Sequence, residues 1–209
     1  MALGGVLLGA ALVVAGCGSA PSTTTSTSTA ATTGASSPTC SKGAASLTAA
    51  PTGATTMGST SAPVQLIHGN TLAQVFEATS AFTTVGANSP TWFTTGSGYT
   101  LTLRKGAGLT GAVVACTVFD NASDNGWNVV TLSKSAPAGT YTLVMDHPTG
   151  TAKEACPGHT SDPNCSTTPL SGKTGGVIGW WASSNAATST DYGLADGKAN
   201  NDIFAIFYQ

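Results

Sequence analysis

The feature that most constrains the fold is a series of short segments after Val64 in which apolar and polar residues alternate. In one of them, Tyr99, Leu101 and Leu103 share one face of an extended chain, while threonines and Arg104 share the other. The segments are rich in β-branched and aromatic residues, and Gly, Pro, Asn and Asp separate them. We predict strands at 64–67, 72–78, 81–86, 99–105, 112–119, 127–132, 140–146, 176–182 and 202–208.

These segments predict an all-β protein, because no stretch of the sequence shows a helical period over three turns. Several short strands at close spacing are typical of an antiparallel β-sandwich, and a count of about eight favours a jelly-roll-like arrangement. We therefore place one β-sandwich domain at 64–209.

The N-terminal residues 1–16 contain an apolar run that is too short to cross a bilayer as a helix, and the segment ends in small residues, as signal peptides do. Its end, Val14-Ala15-Gly16-Cys17, resembles the lipobox of bacterial lipoproteins. The resemblance implies a signal peptide at 1–16, a lipid on Cys17, and a protein anchored to the cell membrane and exposed outside the cytoplasm. An ordinary signal peptide with an incidental cysteine is the alternative. The segment departs from the signal-peptide pattern in one respect, since no basic residue precedes the apolar run.

Between the signal segment and the predicted domain, residues 17–63 show no periodic apolar pattern and are rich in Ser, Thr and Ala. Such a segment buries too little apolar surface to offset its loss of conformational entropy on ordering. We predict a flexible stalk that carries the domain.

The five cysteines fit an exported protein. With Cys17 assigned to a lipid, four remain, and they allow three disulfide connectivities. Cys156 and Cys165 flank a polar loop, which favours a local disulfide between them. Cys40 and Cys116 then pair with each other or stay free.

The charge of the chain excludes one class of partner. Charged residues make up 8% of the sequence, and the formal net charge is −2. Binding to a nucleic acid depends on a cluster of Lys and Arg that neutralises phosphates, and the seven basic residues here are scattered along the chain. We expect no nucleic-acid partner.

The sequence offers no recognisable catalytic motif. The three histidines lack the spacing of metal ligands, and no nucleophile elbow, phosphate loop or dinucleotide fingerprint is present. A secreted hydrolase would need two facing carboxylates, and a sequence alone does not show such a convergence. We therefore predict a protein without enzymatic activity, with a hydrolase as the less favoured alternative.

The polar segment 120–128 raises the question of a metal. Asp120 and Asp124 offer oxygen atoms of the kind that Ca²⁺ prefers, but the match to an EF-hand loop is poor. A turn between two strands explains the same residues, and we favour the turn. A structural Ca²⁺ is the alternative, and the sequence indicates no other cofactor.

The aromatic residues are the better candidates for a binding site, since exposed indole and phenol rings next to polar side chains form platforms for sugars. In a strand, Trp180 and Trp181 must point to opposite faces, so we expect one ring in the core and the other outside. We predict a sugar site at Trp127, Trp181, Tyr192 and Asn128. Burial of these rings in the sandwich core is the alternative.

A second resemblance agrees with this prediction. The segments YTLTLRKG, FDNASDNGWNVVTL, PAGTYTLVMDHPTG, GVIGWW and DIFAIFY resemble strands of jelly-roll accessory modules, of the galactose-binding-like and carbohydrate-binding sandwich types. The resemblance implies non-catalytic binding of a glycan, often with a structural Ca²⁺. We therefore expect a monomeric surface lipoprotein that recognises carbohydrate. A structural or protein-interaction lipoprotein of the cell envelope is the alternative.

Overall fold

A computed structural model of the chain describes residues 39–67, 69–149 and 176–209. The predicted signal segment, Cys17 and the Cys156–Cys165 pair lie outside the described residues. Every regular element in the described part is a β-strand, which confirms the all-β prediction. The strands are β1 Ser41–Lys42, β2 Thr55–Met57, β3 Ala62–Gln65, β4 Leu72–Ala78, β5 Phe82–Ser89, β6 Tyr99–Lys105, β7 Val113–Phe119, β8 Gly126–Ala136, β9 Gly139–Asp146, β10 Gly179–Ser183, β11 Tyr192–Ala195, β12 Lys198–Ala199, β13 Ile203–Phe204 and β14 Ile206–Tyr208.

The strands form a sandwich-like arrangement of sheets. One sheet has the order β1-β7-β6-β9-β4-β11-β12, and two smaller sheets have the orders β2-β14-β5-β8 and β13-β10-β3. The two smaller sheets meet at Ala205, which separates β13 from β14 and whose N–H donates to the carbonyl of Trp181. Described neighbours pair antiparallel, except for the parallel pair β1–β7. The predicted antiparallel β-sandwich is therefore confirmed.

The core lies where the inward faces of the sheets meet. Tyr99, Leu101 and Leu103 of β6 are buried, as their alternation predicts. Trp180 is buried as well, and its ring stacks on Phe204 with the ring centroids 4.9 Å apart. A second group of packed aromatic rings fills the other end of the core and contains Phe76, Phe82, Tyr141 and Tyr208. Removal of these large apolar surfaces from water is the main favourable term in folding.

The strand predictions are right for most of the sandwich and wrong at its margins. β4 and β6 have the predicted bounds. The closing run 202–208 is interrupted at Ala205, and the strand predicted at 176–182 begins only at Gly179. β11 and β12 lie between the last two predicted strands, in a segment for which no strand is predicted.

The segment that we call the strap, residues 40–61, corrects the predicted start of the domain. It lies within the predicted stalk, yet it contains β1 and β2, and β3 follows at Ala62. A disulfide joins Cys40 to Cys116 in β7, and β1 and β2 pair with β7 and β14. The folded part thus begins before Val64, because a covalent bond and backbone pairing hold a segment that buries little apolar surface of its own.

No helix in the described ranges has the length and hydrophobicity needed to span a bilayer.

Candidate functional site

The feature that we call the aromatic groove consists of two adjoining cavities at the surface of the smaller sheets. Their volumes are about 320 and 390 Å³, and both are lined by Thr60, Asn125 and Trp181. The first cavity also contains Ser61, Pro63, Pro90, Trp92, Phe93 and Asp124. The second also contains Thr48, Asn88 and Trp127. The shared wall at Trp181 makes the two cavities parts of one site.

Trp181 stands at the centre of the groove because of the alternation along β10. Trp180 points into the core and donates its indole N–H to the carbonyl of Ala205 at 2.9 Å. Trp181 points the other way, is partly exposed, and donates its indole N–H to Oδ1 of Asn125 at 2.8 Å. The expectation of one core ring and one outer ring is confirmed. The hydrogen bond fixes the orientation of the outer ring in the groove.

Two further rings come from a turn after β5. Trp92 and Phe93 have φ angles of 49° and 60°, a left-handed conformation that is uncommon for aromatic residues. Phe93 is 69% exposed, whereas Trp92 is almost buried against Val177. A Cβ atom at Gly179 would lie 2.7 Å from Cη2 of Trp92, so glycine there allows β10 to approach the ring closely. Backbone strain of this kind is concentrated at functional sites in proteins.

Asp124 holds this turn in place. Its Oδ1 accepts a hydrogen bond from the backbone N–H of Thr91 at 2.7 Å and a second from the Thr91 hydroxyl at 3.3 Å. Its Oδ2 accepts from the side-chain amide of Asn125 at 2.9 Å. One carboxylate thus joins the turn that carries Phe93 to the turn that carries Asn125.

Asn125 lines both cavities of the groove and forms hydrogen bonds with three of its other lining residues, Asn88, Asp124 and Trp181. Its φ angle of 57° places it in the left-handed region, which Asn tolerates better than most residues. Its carbonyl accepts a hydrogen bond from Nδ2 of Asn88 at 3.0 Å. Asn88 is buried, and its Oδ1 has no hydrogen-bond partner among the described residues. A buried acceptor without a partner costs about 1–3 kcal/mol, so this oxygen lowers the stability of the segment beside the second cavity.

Trp127 lines the second cavity. Its ring contacts Phe207 with the centroids 5.5 Å apart, and its backbone forms two hydrogen bonds with Leu47 of the strap, each of 2.8 Å. Trp127 and Trp181, both predicted from the sequence, therefore line the same cavity.

The other two residues of the predicted sugar site lie elsewhere. Asn128 is fully buried and accepts a hydrogen bond from the Ser46 hydroxyl at 2.7 Å, because it follows Trp127 in β8 and points to the opposite face. Tyr192 lies in β11 of the seven-stranded sheet, opposite Val75, and packs beside a small apolar cluster. Neither residue lines the groove, and Asn125 and Phe93 take the places expected for them.

The acidic residues considered for Ca²⁺ have separate partners. Asp120 forms an exposed ion pair with Lys42 at 3.0 Å, and Asp124 binds Thr91 and Asn125. In the described part of the chain, no three His, Cys, Asp or Glu side chains come together in a way that could hold a metal ion. The segment forms a turn between β7 and β8, closed by the hydrogen bond from Gly126 N–H to the Ser123 carbonyl.

The groove is almost free of charge. Asp124 is the sole ionisable side chain among its described lining residues, and the remaining polar groups are amides and hydroxyls. Flat apolar rings beside neutral hydrogen-bonding groups suit a ligand that has both apolar faces and hydroxyl groups.

Comparison of the chain with models of known protein families gives no match, and comparison with curated proteins gives no similar sequence.

Proposed function

We propose that this protein is a non-catalytic carbohydrate-binding protein and that the aromatic groove is its ligand site. The observation that carries the proposal is that Phe93, Trp181 and Trp127 line two adjoining cavities, with Trp181 in the wall of both. The C–H faces of a sugar ring pack on such aromatic faces, and the sugar hydroxyls turn towards the polar residues between them.

The polar groups between the rings support a sugar ligand. Asn125 already orients Trp181, and its side chain lines both cavities. The hydroxyls of Thr48 and Thr60 lie on the same cavity wall. We expect the hydroxyls of Thr48 and Thr60 and the side-chain amide of Asn125 to form the hydrogen bonds with ligand hydroxyls, because these exposed side chains line the cavities beside the rings.

The two cavities favour an oligosaccharide over a single sugar. Each has a volume at the lower end of the range of small-molecule pockets, and Trp181 lies between them. A chain of sugar units would place successive rings on the two sides of Trp181, with Phe93 and Trp127 at the ends. The near absence of charge favours neutral sugars over acidic ones.

A hydrolytic role has less support from the same groove. Glycoside hydrolysis uses two carboxyl groups about 5–9 Å apart on either side of the bond that is cleaved. Asp124 is the one carboxylate among the described lining residues, and both of its oxygen atoms accept hydrogen bonds from neighbouring residues. We therefore propose binding without catalysis.

A glycan array probed with the full chain tests the proposal, followed by titration calorimetry with the soluble oligosaccharides that bind. We expect W181A and W127A each to weaken binding by about tenfold or more, which corresponds to about 1.4 kcal/mol. Y192A is the matched control, since Tyr192 is a partly exposed ring outside the groove, and it should bind like the wild type. An array on which the wild type binds nothing contradicts the proposal.

The location of the protein is a second part of the proposal. The Cys40–Cys116 disulfide agrees with a site outside the reducing cytoplasm. We propose that Cys17 carries a lipid and anchors the protein at the outer surface of the cell membrane. Incorporation of a labelled fatty acid into the wild type and its loss in C17A would support the anchor. Equal labelling of the two would contradict it.

Binding of a protein partner in the cell envelope is a second candidate function. It is favoured by the 69% exposure of the Phe93 ring, which is a large apolar surface to leave in water. Crosslinking in intact cells, with F93A as the comparison, separates the candidates. The protein-partner function is favoured if the wild type crosslinks to a protein, F93A does not, and the wild type binds no glycan on the array.

A further inference from the structure

One wall of the aromatic groove belongs to the strap and not to the large strands of the sandwich. Thr60 lines both cavities, Ser61 lines the first and Thr48 lines the second. All three residues come from the segment between Cys40 and β3. The shape of the groove therefore depends on where the strap lies.

The strap also fixes the backbone of one aromatic residue of the site. Leu47 N–H donates to the carbonyl of Trp127, and Trp127 N–H donates to the carbonyl of Leu47. Just before this pair, Ser46 donates its hydroxyl to Asn128 and accepts from the N–H of Ser123. The start of β8, which carries Trp127, is thus paired with the strap on one side and with β5 on the other.

The attachment of the strap rests mainly on its two ends. At the first end are the Cys40–Cys116 disulfide and the short parallel pairing of β1 with β7. At the second end, β2 pairs with β14. Between β1 and β2, the described strand pairing is limited to the bridge at Leu47, and the Leu47 side chain is 40% exposed. Little apolar burial holds this middle part, so its position depends on the fixed ends.

We propose that the strap is a structural part of the binding site and that the Cys40–Cys116 bond holds it in the position that binds ligand. This inference rests on the proposed carbohydrate-binding function. Without the bond, the first end of the strap keeps only non-covalent contacts, which are the two-residue parallel pairing, the hydrogen bonds of Ser41 and Gly43 with β7, and the exposed ion pair of Lys42 with Asp120. The bridge at Leu47 then opens more often. Opening removes Thr48 from the second cavity and breaks the two backbone hydrogen bonds between Trp127 and Leu47, while the pairing of Trp127 with β5 remains. Ligand affinity falls, although the sandwich remains folded.

The test compares the full-length wild type with C40A/C116A at a temperature where circular dichroism shows both to be folded. The probes are neutral β-1,4-linked hexasaccharides of glucose and of N-acetylglucosamine, together with any oligosaccharide that binds on the array. We expect the variant to bind about tenfold more weakly, with faster hydrogen exchange at the amides of Leu47 and Trp127. Exchange at Leu101 and Leu143, in the core of the seven-stranded sheet, should not change.

Chemical reduction provides the matched control. Dithiothreitol cleaves the Cys40–Cys116 bond by two successive thiol–disulfide exchanges, which leave two protein thiols and one cyclic oxidised dithiothreitol. Reduction should weaken binding by the wild type to the level of C40A/C116A and leave the variant unchanged. Because the variant retains Cys156 and Cys165, it also controls for any effect of reduction on those cysteines.

Three outcomes are decisive. Unchanged affinity in C40A/C116A overturns the inference, whether or not the Leu47 amide exchanges faster. Weaker binding together with faster exchange at Leu47 and Trp127 supports it. If the wild type binds no oligosaccharide, the proposed function fails, and hydrogen exchange alone tests the role of the disulfide. Unchanged protection of the Leu47 amide in C40A/C116A then shows that the disulfide does not hold the strap in place. Lost protection of this amide shows that it does.

Discussion

Trp180 and Trp181 are neighbours in one strand and belong to two different parts of the molecule. Trp180 is fully buried, stacks on Phe204 and lies in a core of closely packed apolar residues. Trp181 is partly exposed and lies among neutral polar groups and strained turns. The comparison shows that a single strand contributes to stability with one face and to a site with the other. Substitutions should therefore separate the two roles.

The largest effect is expected on the core side. W180A removes a fully buried indole and its contacts with Phe204, and the free energy of unfolding should fall by about 3–5 kcal/mol. Urea unfolding followed by circular dichroism measures the change, and W180F should lose less because it retains a ring against Phe204. A loss below about 1 kcal/mol in W180A would contradict the division between core and groove.

A smaller effect is expected at the turn that joins the two parts. D124A removes the acceptor of the Thr91 N–H and of the Thr91 hydroxyl, and we expect a loss of about 2 kcal/mol. The Thr91 amide resonance should shift, and oligosaccharide binding should weaken because the turn carries Phe93. D124N, which keeps one carbonyl acceptor, is the conservative control. An unmoved Thr91 resonance in D124A would count against this role of Asp124.

An effect of about 1 kcal/mol is expected from Tyr99, whose hydroxyl contacts Ser89 at 2.8 Å where β5 leads into the groove. Burial raises the pKa of this hydroxyl above its ordinary value of about 10, although the hydrogen bond with Ser89 opposes the shift. The unfolded chain thus releases this proton near pH 10, whereas the folded protein keeps it. The contribution of Tyr99 to the free energy of unfolding is therefore fully present below pH 10, and it decreases by about 1 kcal/mol by pH 11.

Urea unfolding of the wild type and Y99F between pH 8 and pH 11 measures this contribution, with pH steps of about one unit. Y99F should lose less stability than the wild type over this range, because it lacks the group that titrates. Identical slopes for the two proteins would show that Tyr99 does not titrate in this way.

The smallest effect on stability is expected on the groove side. W181A removes a partly exposed ring and one hydrogen bond to Asn125, and the free energy of unfolding should change by less than about 1 kcal/mol. Urea unfolding compared directly with W180A measures the contrast. If W181A unfolds as readily as W180A, the groove ring is part of the core and the comparison fails.

The sequence predicts those parts of the fold in which one face of a strand is buried and the other is not. β4 and β6 are found at their predicted bounds for this reason. β1, β2 and β12 are two or three residues long and mostly exposed, so they carry no periodic signal. Their positions follow from partners that are distant in the sequence, such as Cys116 for the segment after Cys40.

The site is less predictable, because it combines residues from five separate segments. Alternation places Trp181 outside the core, and the same rule applied to Trp127 would have excluded Asn128 from the site. The contribution of Phe93 depends on a left-handed backbone conformation that no local pattern indicates. Tyr192 is an aromatic residue among polar residues in the sequence, and only the pairing of β11 with β4 shows that it lies on another sheet.

The disulfide at the start of the strap also determines how the domain responds to mechanical load. A force applied to the chain on the N-terminal side of Cys40 passes through the sulfur–sulfur bond into Cys116 of β7. The residues between the two cysteines form a closed covalent loop with this bond, so their backbone bears no tension from that side. Leu47, Thr48 and Thr60 lie in this loop. The wall of the groove is thus mechanically isolated from whatever pulls on the N-terminal segment.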